Sequence, residues 1–291
     1  MQEMIPFVGP HTDVMAPDIC TSDQVMAWFM DTYSMYRGYA VNEIVTGKPV
    51  AVGGTEGRRQ ATGYGVAFLA TRACSQLGIR PDEATAIVQG FGNVGRYAAK
   101  TLQSRYNISV VGVSDHTAAC YDPNGLPLRA IEQFVEENDG VLAGFSSEAR
   151  IAPGDLLMCP CTILAPAAIE CVITEENAGK LNCLVLAEGA NEATTPRADA
   201  ILDQRGDVFV IPDILCNAGG VIVSYFEWVQ DLQGLFWSER EVLSRLEHIM
   251  AATFDQAEAR AATHRISRRN AALSIGVERV RAGKRIRGLY P

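Results

Sequence analysis

The sequence contains no apolar run of roughly 18 residues, the length that a membrane-spanning helix needs. Its first residues, Met1 to Pro6, also lack the basic and apolar regions of a secretory signal. Basic residues are in deficit, with 25 Lys and Arg against 34 Asp and Glu, and the resulting net charge of -9 disfavours a nucleic-acid partner. We therefore expect a cytoplasmic protein with neither a membrane nor a nucleic-acid partner.

Histidine is scarce, with four residues, and the eight cysteines are scattered through mostly apolar segments. Such cysteines are typical of reduced, buried thiols. Cys159 and Cys161 are separated by one residue and have no neighbouring histidine, so no metal site is expected. The basic stretch from Glu258 to Arg287 has no clear interleaving of aromatics and favours a solvated face or subunit contact.

The segment from Ala84 to Asp115 has the order of a dinucleotide-binding βαβ unit. An apolar run precedes Gly90-Phe-Gly92-Asn-Val-Gly95, a helix-compatible stretch follows, and a second apolar run leads to Asp115. The pattern predicts that Gly90 permits the turn, that Gly92 admits a pyrophosphate and that Gly95 lets the helix lie close to the sheet. Asp115 would accept hydrogen bonds from an adenosine ribose.

The rest of the chain alternates short apolar runs with helical spacing. Residues 24–37 and 62–77 have helical periodicity, and the chain is helical from Ala218 onward. Apolar runs at 155–158, 184–187 and 208–211 predict further strands. We expect an α/β fold: a doubly wound parallel-sheet Rossmann-type domain, a C-terminal helical segment and a remnant of a second domain. The predicted boundaries are 1–45, remnant of an N-terminal substrate domain; 46–215, dinucleotide-binding domain; 216–291, C-terminal helices packing back on the substrate domain.

Several further motifs together resemble the glutamate dehydrogenases of the Glu/Leu/Phe/Val dehydrogenase family. The resemblance covers nearly the whole chain, and its motifs are Met15-Ala-Pro-Asp18, Thr46-Gly-Lys-Pro49, Gly57-Arg-Arg-Gln-Ala-Thr62-Gly63, the glycine loop, Ala187-Glu-Gly-Ala-Asn191 and Pro212-Asp-Ile-Leu-Cys-Asn217 continuing to Trp228. It implies NAD(P)-dependent oxidative deamination of L-glutamate to 2-oxoglutarate and ammonium by a homo-oligomer.

The resemblance implies that Asp18 is the catalytic acid, which transfers protons during deamination. Ser224 resembles the hydroxyl that contacts the substrate's side-chain carboxylate, with Ala16 and Val221 as pocket walls. Without the family, Asp18 would be interpreted as a turn or cap residue, and Ser224 as a serine bonded to its own helix. Ser224 disfavours the less expected alternative, a dehydrogenase of apolar amino acids, because an apolar side chain would leave the hydroxyl unpaired.

The resemblance also implies the cofactor-binding positions. Thr62 and Asn93 would hold the nicotinamide carboxamide, although a helix start and a loop hydrogen bond are the alternative roles. Asn191 and Asn217 would lie near the cofactor ribose and the substrate, or else be turn residues. The full predicted cofactor set is Thr62, Gly90, Gly92, Asn93, Val94, Gly95, Asp115, Asn191 and Asn217. The cofactor is NAD or NADP, and NAD is favoured because Asp115 would repel a 2′-phosphate, although His116 and Thr117 could receive one.

The four lysines are Lys48, Lys100, Lys180 and Lys284, and none precedes Asp18. The resemblance implies lysines from an N-terminal domain that bind the substrate carboxylates and assist catalysis. We therefore expect a truncated chain in which Ser224 lacks a cationic co-ligand, and which binds dinucleotide with little turnover unless another polypeptide completes it. A catalytically silent nucleotide-binding subunit or paralogue is the alternative.

Overall fold

The computed structural model describes residues 1–18, 21–145 and 150–288. The chain forms two compact units, each built from two separate stretches of sequence. Unit 1 comprises Met1–Ala61 and Gly219–His248, and unit 2 comprises Thr62–Ala218 and Ile249–Pro291. No described helix is both long enough and apolar enough to cross a membrane.

Unit 2 is built around a seven-stranded sheet of strand order β4-β3-β2-β1-β5-β6-β7. The five strands β1, β2, β5, β6 and β7 are parallel, whereas β3 and β4 pair antiparallel at one edge. The strands are β1 (Thr85–Gln89), β2 (Ser109–Ser114), β3 (Ala119–Tyr121), β4 (Arg150–Ile151), β5 (Cys161–Pro166), β6 (Cys183–Ala187) and β7 (Phe209–Ile211). The predicted α/β class is confirmed, and the antiparallel edge makes the sheet mixed.

The parallel strands are continuous apolar runs, as expected where both faces of a sheet are covered. Ile87, Leu164 and Leu186 are fully buried in the core of unit 2. The helices of this unit are α2 (Ala61–Gln76), which begins at the last residue of unit 1, α3 (Asn93–Tyr106), α4 (Leu128–Glu137), α5 (Pro196–Arg205), α6 (Asp213–Cys216) and α9 (Arg268–Arg287).

Unit 1 is mainly helical, with α1 (Asp23–Arg37), α7 (Gly219–Gln233) and the first part of α8 (Glu239–His264), whose later part belongs to unit 2. Ser22 caps α1 by accepting a hydrogen bond from the Val25 amide, the arrangement that stabilises a helix start. A small core gathers buried residues of this unit, namely Val8, Met26, Tyr33, Val41, Ile44 and Val45. The predicted helices at 24–37, at 62–77 and after Ala218 are confirmed.

One predicted strand is wrong. Residues 155–158 lie in a 3₁₀-helix, Pro153–Met158, and the strand follows at Cys161–Pro166. Pro153 favours a helical first turn, and a short apolar run does not by itself distinguish a strand from a buried helical turn. The strands predicted at 184–187 and 208–211 are confirmed.

Candidate functional site

The glycine loop of unit 2 has the conformation that its spacing predicts. Gly90 adopts a φ of +94°, and a Cβ on Gly95 would lie 1.8 Å from the Gly90 carbonyl oxygen. Helix α3 therefore starts in direct contact with the turn. A Cβ on Gly92 would meet nothing within 4 Å. Gly92 is the N-cap of α3 and has no side chain to satisfy the first amides, so this helix end offers donors to an anion.

Two predicted cofactor residues lie where α2 packs on α3. A Cβ on Gly63 would lie 2.3 Å from the Val94 carbonyl oxygen and 2.6 Å from the Ala98 amide nitrogen. Only a glycine permits the two backbones to approach this closely. Thr62 and Asn93 are the chain neighbours of Gly63 and Val94, so the packing brings both residues to one place in unit 2.

Asp115 follows β2 and organises the loop around itself. Its Oδ1 accepts hydrogen bonds from the Thr117 amide at 2.7 Å, the Thr117 hydroxyl at 2.6 Å and the Ala118 amide at 2.8 Å. Its Oδ2 accepts one from the Leu142 amide at 2.6 Å. Burial acts to raise the pKa of Asp115, but these hydrogen bonds outweigh it and hold the pKa below its usual value. The carboxylate stays ionised, and Oδ2 retains acceptor capacity for a ribose hydroxyl.

The polar residues that follow β6 and β7 form a linked group. Asn217 Nδ2 donates to Asn191 Oδ1 at 2.6 Å, so the two predicted asparagines are in direct contact. The next residue, Glu192, has a φ of +49°, which a residue with a side chain rarely adopts. Asp213 Oδ2 accepts from the Glu192 amide at 2.8 Å and thereby holds this conformation.

The guanidinium of Arg269 connects the same elements through three carboxylates. Arg269 of α9 donates through Nη2 to Glu188 at 2.6 Å, through Nε to Asp199 at 3.0 Å and through Nη1 to Asp213 at 3.2 Å. Glu188 is completely buried and also accepts from Thr194 Oγ1 and from the Asp213 amide. Burial lowers the pKa of Arg269, but the carboxylates outweigh it and raise the pKa further above its usual value. This cluster was not predicted from the sequence.

In unit 1, the segment that carries Asp18 lies against the turn at Thr46 to Lys48. The Thr46 amide donates to the Met15 carbonyl oxygen at 2.8 Å. Gly47, with a φ of +76°, lies beneath Pro17, because a Cβ there would be 2.6 Å from Pro17 Cγ. The Asp18 amide donates to Thr21 Oγ1 at 2.7 Å. Asp18 is therefore hydrogen-bonded to Thr21, and Asp18 and Ala16 are both exposed.

The same turn is held by buried charges. Glu227 of α7 accepts from the Gly47 amide at 3.1 Å and from Lys48 Nζ at 2.8 Å. Lys48 Nζ also donates to Asp231 Oδ2 at 2.6 Å and to the Val45 carbonyl oxygen at 3.1 Å. The side chains of all three charged residues are fully buried. Helix α7 thus fixes the turn on which the Asp18 segment rests.

Ser224 lies one helical turn before Glu227 on α7 and has a partner that sequence reasoning missed. Arg58 Nε donates to Ser224 Oγ at 2.8 Å. The structure therefore places a cation beside Ser224 that the four lysines of the sequence did not reveal. Burial lowers the pKa of Arg58, with Glu227 opposing the shift. Arg58 belongs to a motif that the sequence displays, but its contact with a residue 166 positions away has no sequence signature.

Val221, one turn before Ser224, is 69% exposed. Unit 1 thus contains the exposed Asp18 carboxylate and, separately, the Ser224 hydroxyl in contact with the Arg58 guanidinium. Unit 2 combines a glycine loop, an acidic strand end and an asparagine pair, the groups that a dinucleotide needs.

The comparisons with known proteins agree with this chemistry. A family model described as Glutamate/Leucine/Phenylalanine/Valine dehydrogenase matches residues 53–288, and the dimerisation-domain model of Glu/Leu/Phe/Val dehydrogenases matches residues 1–35. The chain is 44% identical to the glutamate dehydrogenase of Thermotoga maritima, over 98% of this chain and 68% of the relative. It is 41% identical to the catabolic NAD-specific glutamate dehydrogenase of Bacillus subtilis, over 97% of this chain and 65% of the relative.

Solved structures show the same relationship. The hetero-hexameric glutamate dehydrogenase of Thermus thermophilus, in a leucine-bound form, superposes with a TM-score of 0.93 at 35% identity, covering 100% of this chain and 68% of that one. The glutamate dehydrogenase of Peptoniphilus asaccharolyticus gives a TM-score of 0.83 at 34% identity, covering 98% and 68% respectively. The chain therefore matches about two thirds of the length of these proteins.

Proposed function

Because this chain belongs to the Glu/Leu/Phe/Val dehydrogenase family, we propose that it catalyses the NAD-dependent oxidative deamination of L-glutamate to 2-oxoglutarate and ammonia, and the reverse reaction. The observation that carries the choice of substrate is the contact between Arg58 and Ser224. A guanidinium beside a hydroxyl is suited to a carboxylate, to which it donates charge-assisted hydrogen bonds.

The charge of Arg58 supports a dicarboxylic substrate. An apolar amino acid such as leucine would leave the charge of the Arg58 guanidinium without a carboxylate, and a site built for a charged group strongly rejects an analogue that lacks it. We assign Ala16 and Val221 as the apolar walls beside the substrate's methylene groups. The names of the relatives, which specify glutamate, support the same choice.

Asp18 is the residue that we assign to proton transfer. A nicotinamide held by unit 2 would supply the hydride acceptor for the substrate Cα, and loss of the hydride would leave an iminium on the substrate. Asp18 would take one proton from the water that attacks the iminium carbon and give it to the departing amine, and the remaining hydroxyl proton would leave to solvent as the ketone forms, so the carboxylate is regenerated with each turnover. The hydrogen bond from the Asp18 amide to Thr21 Oγ1 and the packing of Pro17 on Gly47 position the backbone of Asp18 for these steps.

We assign dinucleotide binding to unit 2. The α3 N-terminus with Gly90, Gly92, Val94 and Gly95 would receive the pyrophosphate, and Asp115 the adenosine ribose. Two further pairs complete the assignment, Thr62 with Asn93 at the nicotinamide carboxamide, and Asn191 with Asn217 near its ribose.

NAD is favoured over NADP. The ionised Asp115 would repel a 2′-phosphate, and Thr117 already donates to Asp115 and accepts from the Ala143 amide at 3.0 Å. The NAD-specific names of the Bacillus subtilis and Staphylococcus aureus relatives support this choice.

We further propose a homo-oligomer in the cytosol. The match of residues 1–35 to a dimerisation domain supports assembly, as does the hexameric Thermus thermophilus relative. The described cysteines are thiols and not disulfides, which fits a reducing compartment.

The proposal is tested by following absorbance of the reduced nicotinamide with L-glutamate or L-leucine and with NAD or NADP. We expect the turnover of the chain, small by itself and larger when another polypeptide completes it, to be highest with glutamate and NAD. Ser224→Ala should lower kcat/KM for glutamate about 10- to 100-fold, because a hydrogen bond to a charged group is lost.

Ser104→Ala is the matched control, since the Ser104 hydroxyl donates to the Lys100 carbonyl oxygen of its own helix at 2.7 Å. Its kinetics should not change. Equal activity on leucine and glutamate, or an unaltered Ser224→Ala enzyme, would contradict the substrate assignment. Binding of NADH without turnover on any amino acid would favour the silent nucleotide-binding subunit.

A further inference from the structure

The cluster around Arg269 lies outside the predicted site residues, yet it contacts the elements that carry two of them. Arg269 is on α9, and its three carboxylate partners lie on three other elements: Glu188 after β6, Asp199 in α5 and Asp213 at the start of α6. One guanidinium fork therefore links the ends of two neighbouring strands, because each of its nitrogens donates in a different direction.

The contact with Asp213 leads to the asparagine pair through a short series of hydrogen bonds. Asp213 accepts from Arg269 through Oδ1 and from the Glu192 amide through Oδ2. Glu192 directly follows Asn191 and holds a positive φ, so this hydrogen bond sets the backbone direction at Asn191. Asn191 in turn accepts from Asn217.

From this arrangement we propose that Arg269 is a positioning residue for the nicotinamide half of the dinucleotide, a statement that rests on the proposed function. It acts by holding the Asn191 and Asn217 segments in register at the ends of β6 and β7. It does not touch the cofactor, because its guanidinium is occupied by the three carboxylates.

The sheet order indicates which half of the dinucleotide is affected. A doubly wound sheet binds its dinucleotide across the switch point, with one mononucleotide half on each side. Here the switch point is β1, which pairs with β2 on one side and β5 on the other. Asp115, after β2, marks the adenosine side, so the ends of β6 and β7 lie on the nicotinamide side.

The Arg269 cluster should be sensitive to the shape of its cation as well as to its charge. The Arg269 side chain is 17% exposed, whereas that of Glu188 is 0% exposed. A lysine would retain the charge, but its single ammonium cannot donate along the three directions of the guanidinium. Arg269→Lys should therefore keep Glu188 neutralised while it loosens Asp213 and the Glu192 turn.

The test compares two nucleotides on the full chain. Calorimetric titration gives the Kd of NADH, which uses both halves of the site, and of ADP, which uses only the adenosine side. For Arg269→Lys we expect the Kd of NADH to rise about tenfold and kcat to fall by up to about 100-fold, since small displacements of a positioned group have effects of this size. The Kd of ADP should stay within twofold.

A second variant keeps the test usable if Arg269→Lys folds poorly. Asp213→Asn retains the size of the side chain and weakens both the ion pair and the hold on Glu192, so it should show the same selective loss of NADH affinity. The control is Arg260→Lys, because Arg260 joins α8 to α9 through Glu278 at 2.8 Å without involving the strand ends. It should leave both Kd values unchanged.

Selective weakening of NADH binding in both variants would support the inference. Equal weakening of NADH and ADP would overturn it, because Arg269 would then only stabilise the fold, and unchanged affinities would overturn it as well. Failure of the unsubstituted protein to bind either nucleotide would refute the proposed function, and this inference with it, before any variant is made.

Discussion

Unit 1 and unit 2 each contain a cation surrounded by carboxylates, and the two clusters differ in burial and in the number of carboxylates. In unit 1, Lys48 meets Glu227 and Asp231, and all three side chains are completely buried. In unit 2, Arg269 meets three carboxylates, of which Asp199 and Asp213 remain 19% and 20% exposed. The Lys48 cluster has two carboxylates and is fully buried, whereas the Arg269 cluster has three carboxylates and is partly exposed to solvent.

The difference follows from the two side chains. The Lys48 ammonium has three N–H donors and three acceptors, Glu227, Asp231 and the Val45 carbonyl oxygen, so one compact charge fixes one turn against one helix. Arg269 has donors on three nitrogens and connects three separate elements. The comparison indicates that the unit 1 cluster needs a positive charge at one point, whereas the unit 2 cluster needs the planar guanidinium, whose three nitrogens donate in different directions.

The largest effect should come from removing the buried charge in unit 1. Lys48→Met should lower the free energy of unfolding by about 3–5 kcal/mol, because two buried carboxylates are left without a cation. Urea denaturation measures it. The control is Arg72→Met, which removes a half-exposed pair with Asp255 and should cost about 1 kcal/mol or less. Similar losses in the two variants would show that burial is not what makes the unit 1 cluster sensitive.

A smaller effect should come from Asp231, and it should depend on pH. Burial raises the pKa of Asp231 to about 6, with Lys48 opposing. Its Oδ1 is also buried without a hydrogen-bond partner among the described residues, which disfavours the ionised form. The pKa in the unfolded chain is about 3.9. The stabilisation from this group is therefore complete below about pH 4, is lost as the pH rises through about 6, and changes no further above that.

Asp231→Asn should remove this dependence, because an amide does not ionise. The difference in unfolding free energy between the protein and the variant should change by about 2 kcal/mol between pH 4 and pH 7. Urea denaturation at a series of pH values measures it. A difference that is constant with pH would mean that Asp231 has an ordinary pKa, and that its charge is balanced by Lys48.

The smallest effect should come from exchanging the cation in unit 2 while keeping its charge. Arg269→Lys should lower the free energy of unfolding by only about 1 kcal/mol, because the partly exposed carboxylates can be solvated by water. Differential scanning calorimetry measures this loss of unfolding free energy, with Arg260→Lys as the reference variant. A loss as large as that of Lys48→Met would remove the distinction between charge and shape.

Much of the cofactor half was predictable because it depends on local geometry. The roles of Gly90 and Gly95 follow from a tight turn and a close helix, and these needs recur at a fixed spacing. The strand at 208–211 was predictable from its apolar run. The run at 155–158 was not, because a 3₁₀ turn and a strand bury the same residues over so short a length.

The polar clusters could not be predicted, because their partners are distant in sequence. Arg269 meets Glu188 across 81 residues, and no periodicity marks either residue as half of a pair. Arg58 and Lys48 stand in motifs that the sequence displays plainly. Their partners Ser224 and Glu227 are fixed only when α7 is placed, so the motifs indicate importance without indicating contacts.

The discontinuity of unit 1 has a consequence for synthesis on the ribosome. Lys48 and Glu227 are 179 residues apart, and the whole sheet of unit 2 is encoded between them. At about 5–20 residues per second, roughly 10–35 s pass between the emergence of the lysine and that of its partner. During that interval the 46–48 turn has no carboxylate to hold it, while every strand of the sheet becomes available for pairing. The nascent chain should therefore complete its nucleotide-binding sheet first and enclose the buried lysine last.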